Sequence, residues 1–333
     1  MSAERPWGRG AVTGIGSLPG TDPVEATRLV FGELPDLPHL PELPARGAGA
    51  DMIGRSAAVL VDLPVEIVPS GWRLAAHRGR DQRRAEDYLA RDVDALHEQA
   101  EGYAGPLKVQ VAGPWTLAAN LELPTGHRVV TDHGAVRDLA ESLAEGIRAQ
   151  VADLQRHVPG ASLVVQLDEP SLPAVLAGEL ATASGWGSVR AVAAPDATRV
   201  LQTVLDAIPS GGRVVHCCAP DAPLDLLREA GSDAVAVDAA LLRSTHYDVL
   251  GAAVDAGVSL WLGVLPSSDA AITLDTARDP LRRLWRELGF ADSMLADAVV
   301  PTPACGLAGA SQQYVRHALS VLRETGRALH ELG

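Results

Sequence analysis

Residues 162–170 read SLVVQLDEP. The run Leu163, Val164, Val165 is apolar and two-thirds β-branched, and Pro170 bounds it, as expected of a short buried strand. Gln166 and Asp168 lie two apart and therefore share one face of that strand. Glu169 stands before a proline, which bars a helical conformation at that point. The polar residues thus gather at the C-terminal end of an apolar strand. Just upstream, Val136, Leu139, Leu143, Ile147, Val151, Leu154 and Val158 step by three and four, the spacing of an amphipathic helix.

Working outward, the same alternation of strand and helix runs along the chain. Seven further strand candidates are AVTGIGSLP from Ala11, AAVLVDL from Ala57, LKVQVAG from Leu107, RVVHCC from Arg213, AVAVDAAL from Ala234, VSLWLGVLP from Val258 and AVVPTPACG from Ala298. Val315, Leu319, Leu322 and Leu329 mark a C-terminal helix. Eight strands with helices between them predict a (β/α)8 barrel, an α/β fold in one domain over residues 1–333, with a doubly wound open sheet as the alternative. Ser17, Asp168, His216, Cys218, Asp238 and Cys305 all fall at C-terminal strand ends, where such barrels carry their sites. A Pro-rich loop at about 33–48, ELPDLPHLPELP, has a proline at every third position and is expected to be a stiff surface connection or a lid over the barrel mouth.

The 333 residues are 47% hydrophobic, enough for a large core. The net charge of −14 argues against non-specific binding to nucleic acid or to an anionic membrane. No stretch of about 18 apolar residues predicts a membrane span. The N-terminus MSAERPWGRG lacks a signal-peptide core, and three cysteines suggest no disulfide framework. A reduced, cytoplasmic setting is expected.

The chemistry centres on VVHCCAP and TPACGLAG. His216 and Cys218 share a strand face, and Cys305 arrives from a later strand end. One imidazole and two thiolates suit zinc, and three protein ligands leave a position for a substrate. Cys217 faces the other way and is expected in the core. Asp238 is a candidate fourth ligand, or a partner that orients His216, against the plainer reading of a capping residue. Asp168 is the candidate catalytic carboxylate, placed to hold a substrate ammonium or move a proton, and Glu169 a candidate beside it. The glycine-rich GIGSLPGTDP does not fit a dinucleotide fingerprint, and Gly16 and Ser17 are candidates for close approach to a small carboxylate. Trp115, in GPWTLAAN, is a candidate wall for a flat group or else a packed aromatic. The basic run Arg78, Arg80, Arg83 and Arg84 reads as a solvated helix face.

GIGSLPGTDP, GPWTL, QLDEPSL, HCC, DAVAVD and TPACGL, in this order, resemble the catalytic barrel of the cobalamin-independent methionine synthase family, within the superfamily of uroporphyrinogen decarboxylase and coenzyme M methyltransferases. The resemblance runs from about Thr13 to the last helix. It implies zinc on His216, Cys218 and Cys305, with Asp238 at the place of a glutamate ligand. It implies that Ser17 meets the amino-acid carboxylate and Asp168 the amino group. It implies methyl transfer to a zinc-activated thiol, homocysteine first, from methylfolate or a methylated corrinoid protein. Three departures stand out. One barrel is expected, as in the short, archaeal-type members, without the additional N-terminal barrel of the longer ones. The family's Asp-x-His-Ser element reads Leu262-Gly263-Val264-Leu265. The glutamate that the family places after strand two is not found. An alkyltransferase for another thiol, of coenzyme M type, and a non-catalytic zinc or amino-acid-binding homologue are the alternatives.

Overall fold

A computed structural model of the chain describes residues 5–182 and 185–331. The described residues contain β1 (Val65–Val68), β2 (Gly71–Leu74), β3 (Gly105–Ala112), β4 (Leu121–Glu122), β5 (Ala161–Asp168), β6 (Arg213–His216), β7 (Ala234–Asp238), β8 (Ser259–Leu265) and β9 (Val299–Pro303). Six of them form one parallel sheet in the order β3-β5-β6-β7-β8-β9. The short β1, β2 and β4 pair separately beside it.

Two extended segments curl the sheet into a barrel. Thr13 N–H donates to Pro301 O (3.4 Å), which places residues 11–18 beside β9. Glu42 N–H donates to Gly16 O (3.1 Å) and Leu18 N–H to Glu42 O (2.9 Å), placing residues 38–42 next. Leu40 N–H then donates to Lys108 O and Lys108 N–H to Pro38 O, both 2.9 Å, which reaches β3. Eight staves therefore ring one interior, as the strand and helix alternation predicts.

The second stave is not the expected one. Ala57 ends the helix Met52–Ala57, and the residues after it turn. Its place is taken by the Pro-rich segment, which is neither a surface connection nor a lid: Leu37, Leu40 and Leu43 are at most 1% exposed. Proline has no N–H to give, so this stave is held by isolated bridges instead of a continuous ladder. Glycines let the first stave press close to it. A Cβ on Gly14 would lie 2.4 Å from the His39 ring, and one on Gly16 would lie 2.9 Å from the Gln110 side chain.

Strand alternation sorts the core in two. Leu163, Val165 and Leu167 of β5 face the helices, including His133–His157, whose buried stripe contains Leu139, Leu143, Ile147 and Leu154. Asp132 caps that helix, accepting from Gly134 N (2.8 Å) and Ala135 N (3.0 Å). Val164, Val214, Ala236, Trp261 and Val300 face inward with Trp7, Ala11 and Leu37. Trp7 and Trp261 meet edge to face at 5.2 Å and plug the barrel. No helix among the described residues is long and apolar enough to cross a membrane.

Candidate metal centre at the barrel mouth

The register of the sheet sets the polar layer above this plug. Gln110 pairs with Gln166, and Asp168 pairs with His216. All four side chains therefore project to the same side at the C-terminal end of the sheet. His216 ends β6, Cys218 follows two residues later, and Cys305 follows β9. Their ligand atoms lie within 4.8 Å of one another. The two sulfurs are 3.1 Å apart, and both cysteines are free thiols.

The imidazole is held in one orientation. Nδ1 of His216 stands 2.8 Å from Asp168 Oδ1, and Gln166 Nε2 donates to the same oxygen at 2.7 Å. With Gln166 donating to the same oxygen, Asp168 Oδ1 is placed to accept from Nδ1, the tautomer that leaves the Nε2 lone pair free. Nε2 is buried and has no hydrogen-bond partner, an arrangement proteins rarely leave uncompensated. One unpartnered imidazole nitrogen and two sulfurs at this spacing fit a zinc ion, and a carboxylate on the far ring nitrogen is the usual support of such a ligand. The two thiols are hydrogen-bonded to each other. The bond from Cys218 brings Cys305 down to about 6, against burial and helped by His216, while the same bond and burial push Cys218 up.

Cys217 lies on the opposite face, in the core shared with the helices. Burial pushes its thiol up to about 12. Gly306 shapes the turn after Cys305. A Cβ there would stand 2.0 Å from Ser17 Oγ, and Leu307 N–H donates to Ser17 O at 2.7 Å. Ser17 and Gly16 are thus brought against the turn that carries Cys305 and against Gln110.

Three of the candidates have other partners in the structure. Asp238 lies outside the three-ligand group, and its carboxylate accepts from Ala240 N (2.8 Å), capping the turn Ala239–Leu241. A short side chain at a strand end that turns at once meets its own backbone first. Asp168, and not Asp238, supports His216. Glu169 does not face a ligand. It is fully buried and takes Trp115 N (2.9 Å), Thr116 N (2.7 Å) and Thr116 Oγ1 (2.8 Å), capping the helix Pro114–Asn120 from the neighbouring strand end. A Cβ on Gly113 would strike this carboxylate. Burial raises Glu169 to about 7, against those three bonds. Trp115 is 2% exposed and its indole donates to Ala197 O (3.0 Å), so it is a packed aromatic.

Four charged or titratable residues of the site escaped the sequence reading. Lys108 is fully buried, and its ammonium donates to Ile15 O (2.7 Å), Gln110 Oε1 (3.0 Å) and Gln166 Oε1 (2.9 Å). Burial lowers it to about 7, with Asp168 and Glu42 pulling the other way. Burial raises Glu42 to about 7, with Arg55 and Lys108 opposing and Asp168 adding. Arg55 Nε lies 3.5 Å from Glu42 Oε1 and also contacts Asp92, which Arg46 grips at 2.7 and 2.8 Å. His39 is held well below its ordinary value by burial, then by Lys108. The alternation of LKVQVAG is the signal that could have put Lys108 and Gln110 on one face. His39 and Glu42 were hidden in the proline segment. The predicted basic run lies at the start of the helix Arg80–Gln99, where Arg78 meets Glu86 and Arg84 meets Asp81.

Where the Asp-x-His-Ser element is replaced, the wall is apolar. A cleft of about 670 Å³ between the ends of β7, β8 and β9 is lined by Gly263, Val264, Leu265, Pro266, Leu284 and Ala304, with Tyr247, Asp238 and Arg283 also at its edge.

Comparison with known proteins bears on what this mouth does. Residues 11–328 match the family described as "Cobalamin-independent synthase, Catalytic domain". Among solved structures, a B12-independent methionine synthase from Shewanella sp. W3-18-1, in complex with selenomethionine, superposes over 97% of this chain and 98% of its own, with 15% identity and a TM-score of 0.63. GH5_18 from Streptomyces cattleya, in complex with GlcNAc, covers 96% of this chain and 80% of its own at 16% identity and a TM-score of 0.46. No curated protein matches the chain.

Proposed function

The chain belongs to the cobalamin-independent synthase family and is a methyltransferase, and from that premise we propose that it transfers a methyl group to a zinc-held thiol, with homocysteine the leading acceptor and methionine the product. The observation that carries the metal part is the convergence of His216, Cys218 and Cys305 around an unpartnered imidazole nitrogen. His216 Nε2 and the two sulfurs would hold the ion, leaving a fourth position to the substrate. Bound there, zinc supplies the Lewis acidity that keeps a thiol deprotonated and nucleophilic near neutral pH.

The remaining roles fall to the chain's own groups. Asp168 holds the imidazole by Nδ1 and sits 7% exposed at the mouth. There, with Glu42 nearby, it supplies negative charge for a substrate ammonium. Ser17, set against the Cys305 turn, is placed for the substrate carboxylate. The buried walls exclude water from the thiol. The methyl donor is methylfolate or a methylated corrinoid protein. The acidic surface and free cysteines suit a reducing, cytoplasmic setting without nucleic-acid or membrane partners. Residues 1–333 would act as one barrel domain.

The apolar cleft at Gly263–Pro266 favours a second reading, in which the same centre alkylates another small thiol, of coenzyme M type. One set of assays separates the two. Zinc-loaded protein is titrated with homocysteine and with other thiols, following proton release and new zinc–sulfur coordination by X-ray absorption. Turnover is then read with each donor by mass spectrometry. We expect one zinc per chain and methionine from homocysteine. Reduced protein that takes up no zinc, or that turns over no thiol with either donor, would overturn the proposal.

A further inference from the structure

Lys108 has no part in the mechanism above, yet it is fully buried at the foot of the site. Burying an ammonium is costly unless its hydrogen bonds are made. Here three neutral oxygens take one N–H each, from Ile15, Gln110 and Gln166. The partner set has a consequence for the amide of Gln166. An ammonium only donates, so Gln166 must turn Oε1 toward it. That leaves Nε2 of Gln166 to donate to Asp168 Oδ1 (2.7 Å) and Ile15 O (2.9 Å). Asp168 Oδ1 in turn faces Nδ1 of His216 at 2.8 Å. A single run of bonds leads from a buried cation to the imidazole of His216, whose Nε2 is left free.

We propose that Lys108 is a positioning residue that fixes the donor direction of this run, holding His216 as its Nδ1–H tautomer with Nε2 free for a metal. Without the cation, Gln166 Oε1 has no donor, and the amide is held only through Nε2, by Asp168 and Ile15 O. Asp168, and through it the imidazole, then hangs on an amide anchored at one end only. The amide is held in place from both sides. Gln110 spends its own oxygen on Lys108 and donates through Nε2 to Leu40 O. It therefore cannot replace Gln166 as donor to Asp168. Glu42, Asp168 and His39 are the titratable groups whose charge couples to Lys108, and among the described residues none is hydrogen-bonded to its ammonium.

The consequence for zinc rests on the metal reading of the site, whereas the tautomer does not. Two variants test it. Lys108→Met removes the cation. Gln166→Glu keeps the contact with Lys108 but cannot donate to Asp168, and serves if the first variant fails to fold. In metal-free protein, long-range ¹⁵N–¹H correlation of the His216 ring reports the tautomer directly. In parallel, zinc affinity is read by chelator competition. The wild type should show Nδ1–H alone. Gln166→Glu should show a mixture of tautomers, and either folded variant should bind zinc about tenfold more weakly, the low end of the loss seen when ligand-orienting partners are removed. A wild-type tautomer together with wild-type affinity in a folded variant overturns the proposal. Wild-type protein that keeps the Nδ1–H tautomer but binds no zinc removes the metal reading and leaves the orientation in place.

Discussion

Asp168 and Asp238 both end a barrel strand, and the sequence alone offers Asp238 as the partner of His216. The structure separates them by what lies within reach. Asp168 meets His216 because β5 and β6 are neighbours in register. Asp238 meets its own backbone because the chain turns at once. The proposed ligands His216 and Cys218 could be paired from the sequence because they obey a period of two, which needs no tertiary knowledge. Which acid supports them depends on strand order and turn geometry, which a local pattern does not encode. Asp168→Ala is expected to lower zinc affinity about 10- to 100-fold. Asp238→Ala should leave that affinity unchanged and cost about 0.5–2 kcal/mol of stability, the range of a lost N-cap. Chelator competition and urea unfolding measure the two effects side by side. Equal zinc losses in both variants would return Asp238 to the ligand shell.

At the scale of elements, seven of the eight predicted strands correspond to staves, and the eighth was assigned to the wrong stretch. AAVLVDL has the apolar content of a strand, yet it closes a helix and turns. ELPDLPHLPELP has the prolines of a loop, yet it supplies the stave. Proline statistics describe central strands with full ladders, and this stave has no full ladder. It keeps the Leu40 and Glu42 donors and buries Leu37, Leu40 and Leu43 at the spacing the prolines leave free. Leu40→Ala is therefore expected to cost about 2–5 kcal/mol, the range for a buried leucine. Val61→Ala, in the stretch that looked like a strand but is only partly buried, should cost under about 1 kcal/mol. Chemical denaturation orders the two. A surface role for the proline segment would reverse them.

For the molecule as a whole, the polar layer within the barrel ties global stability to pH. Glu42 is the clearest case, because burial raises its carboxyl from an ordinary 4.5 to about 7, with Asp168 adding and Arg55 and Lys108 opposing. Its side chain is only 12% exposed, so solvent screens it little. The sign follows from linkage. Between pH 4.5 and 7 the folded chain holds a proton on this group that the unfolded chain has released. Stability from Glu42 is thus fully present below about pH 4.5 and is lost as pH rises through 7. A tenfold change in proton affinity is worth about 1.4 kcal/mol, so the swing is of the order of a few kcal/mol. Glu42→Gln carries no such proton. The free energy of unfolding of wild type minus that of Glu42→Gln should therefore fall by a few kcal/mol between pH 4.5 and 8. Urea midpoints across that range, on zinc-free protein of both chains, give the difference directly. A difference that stays flat or rises would mean that the Glu42 carboxylate is ionised without cost in the folded barrel, so that Arg55 fully offsets its burial. In that case the negative charge proposed for the substrate ammonium would already be present at acid pH, and binding of an amino-thiol would lose its dependence on pH in the same window.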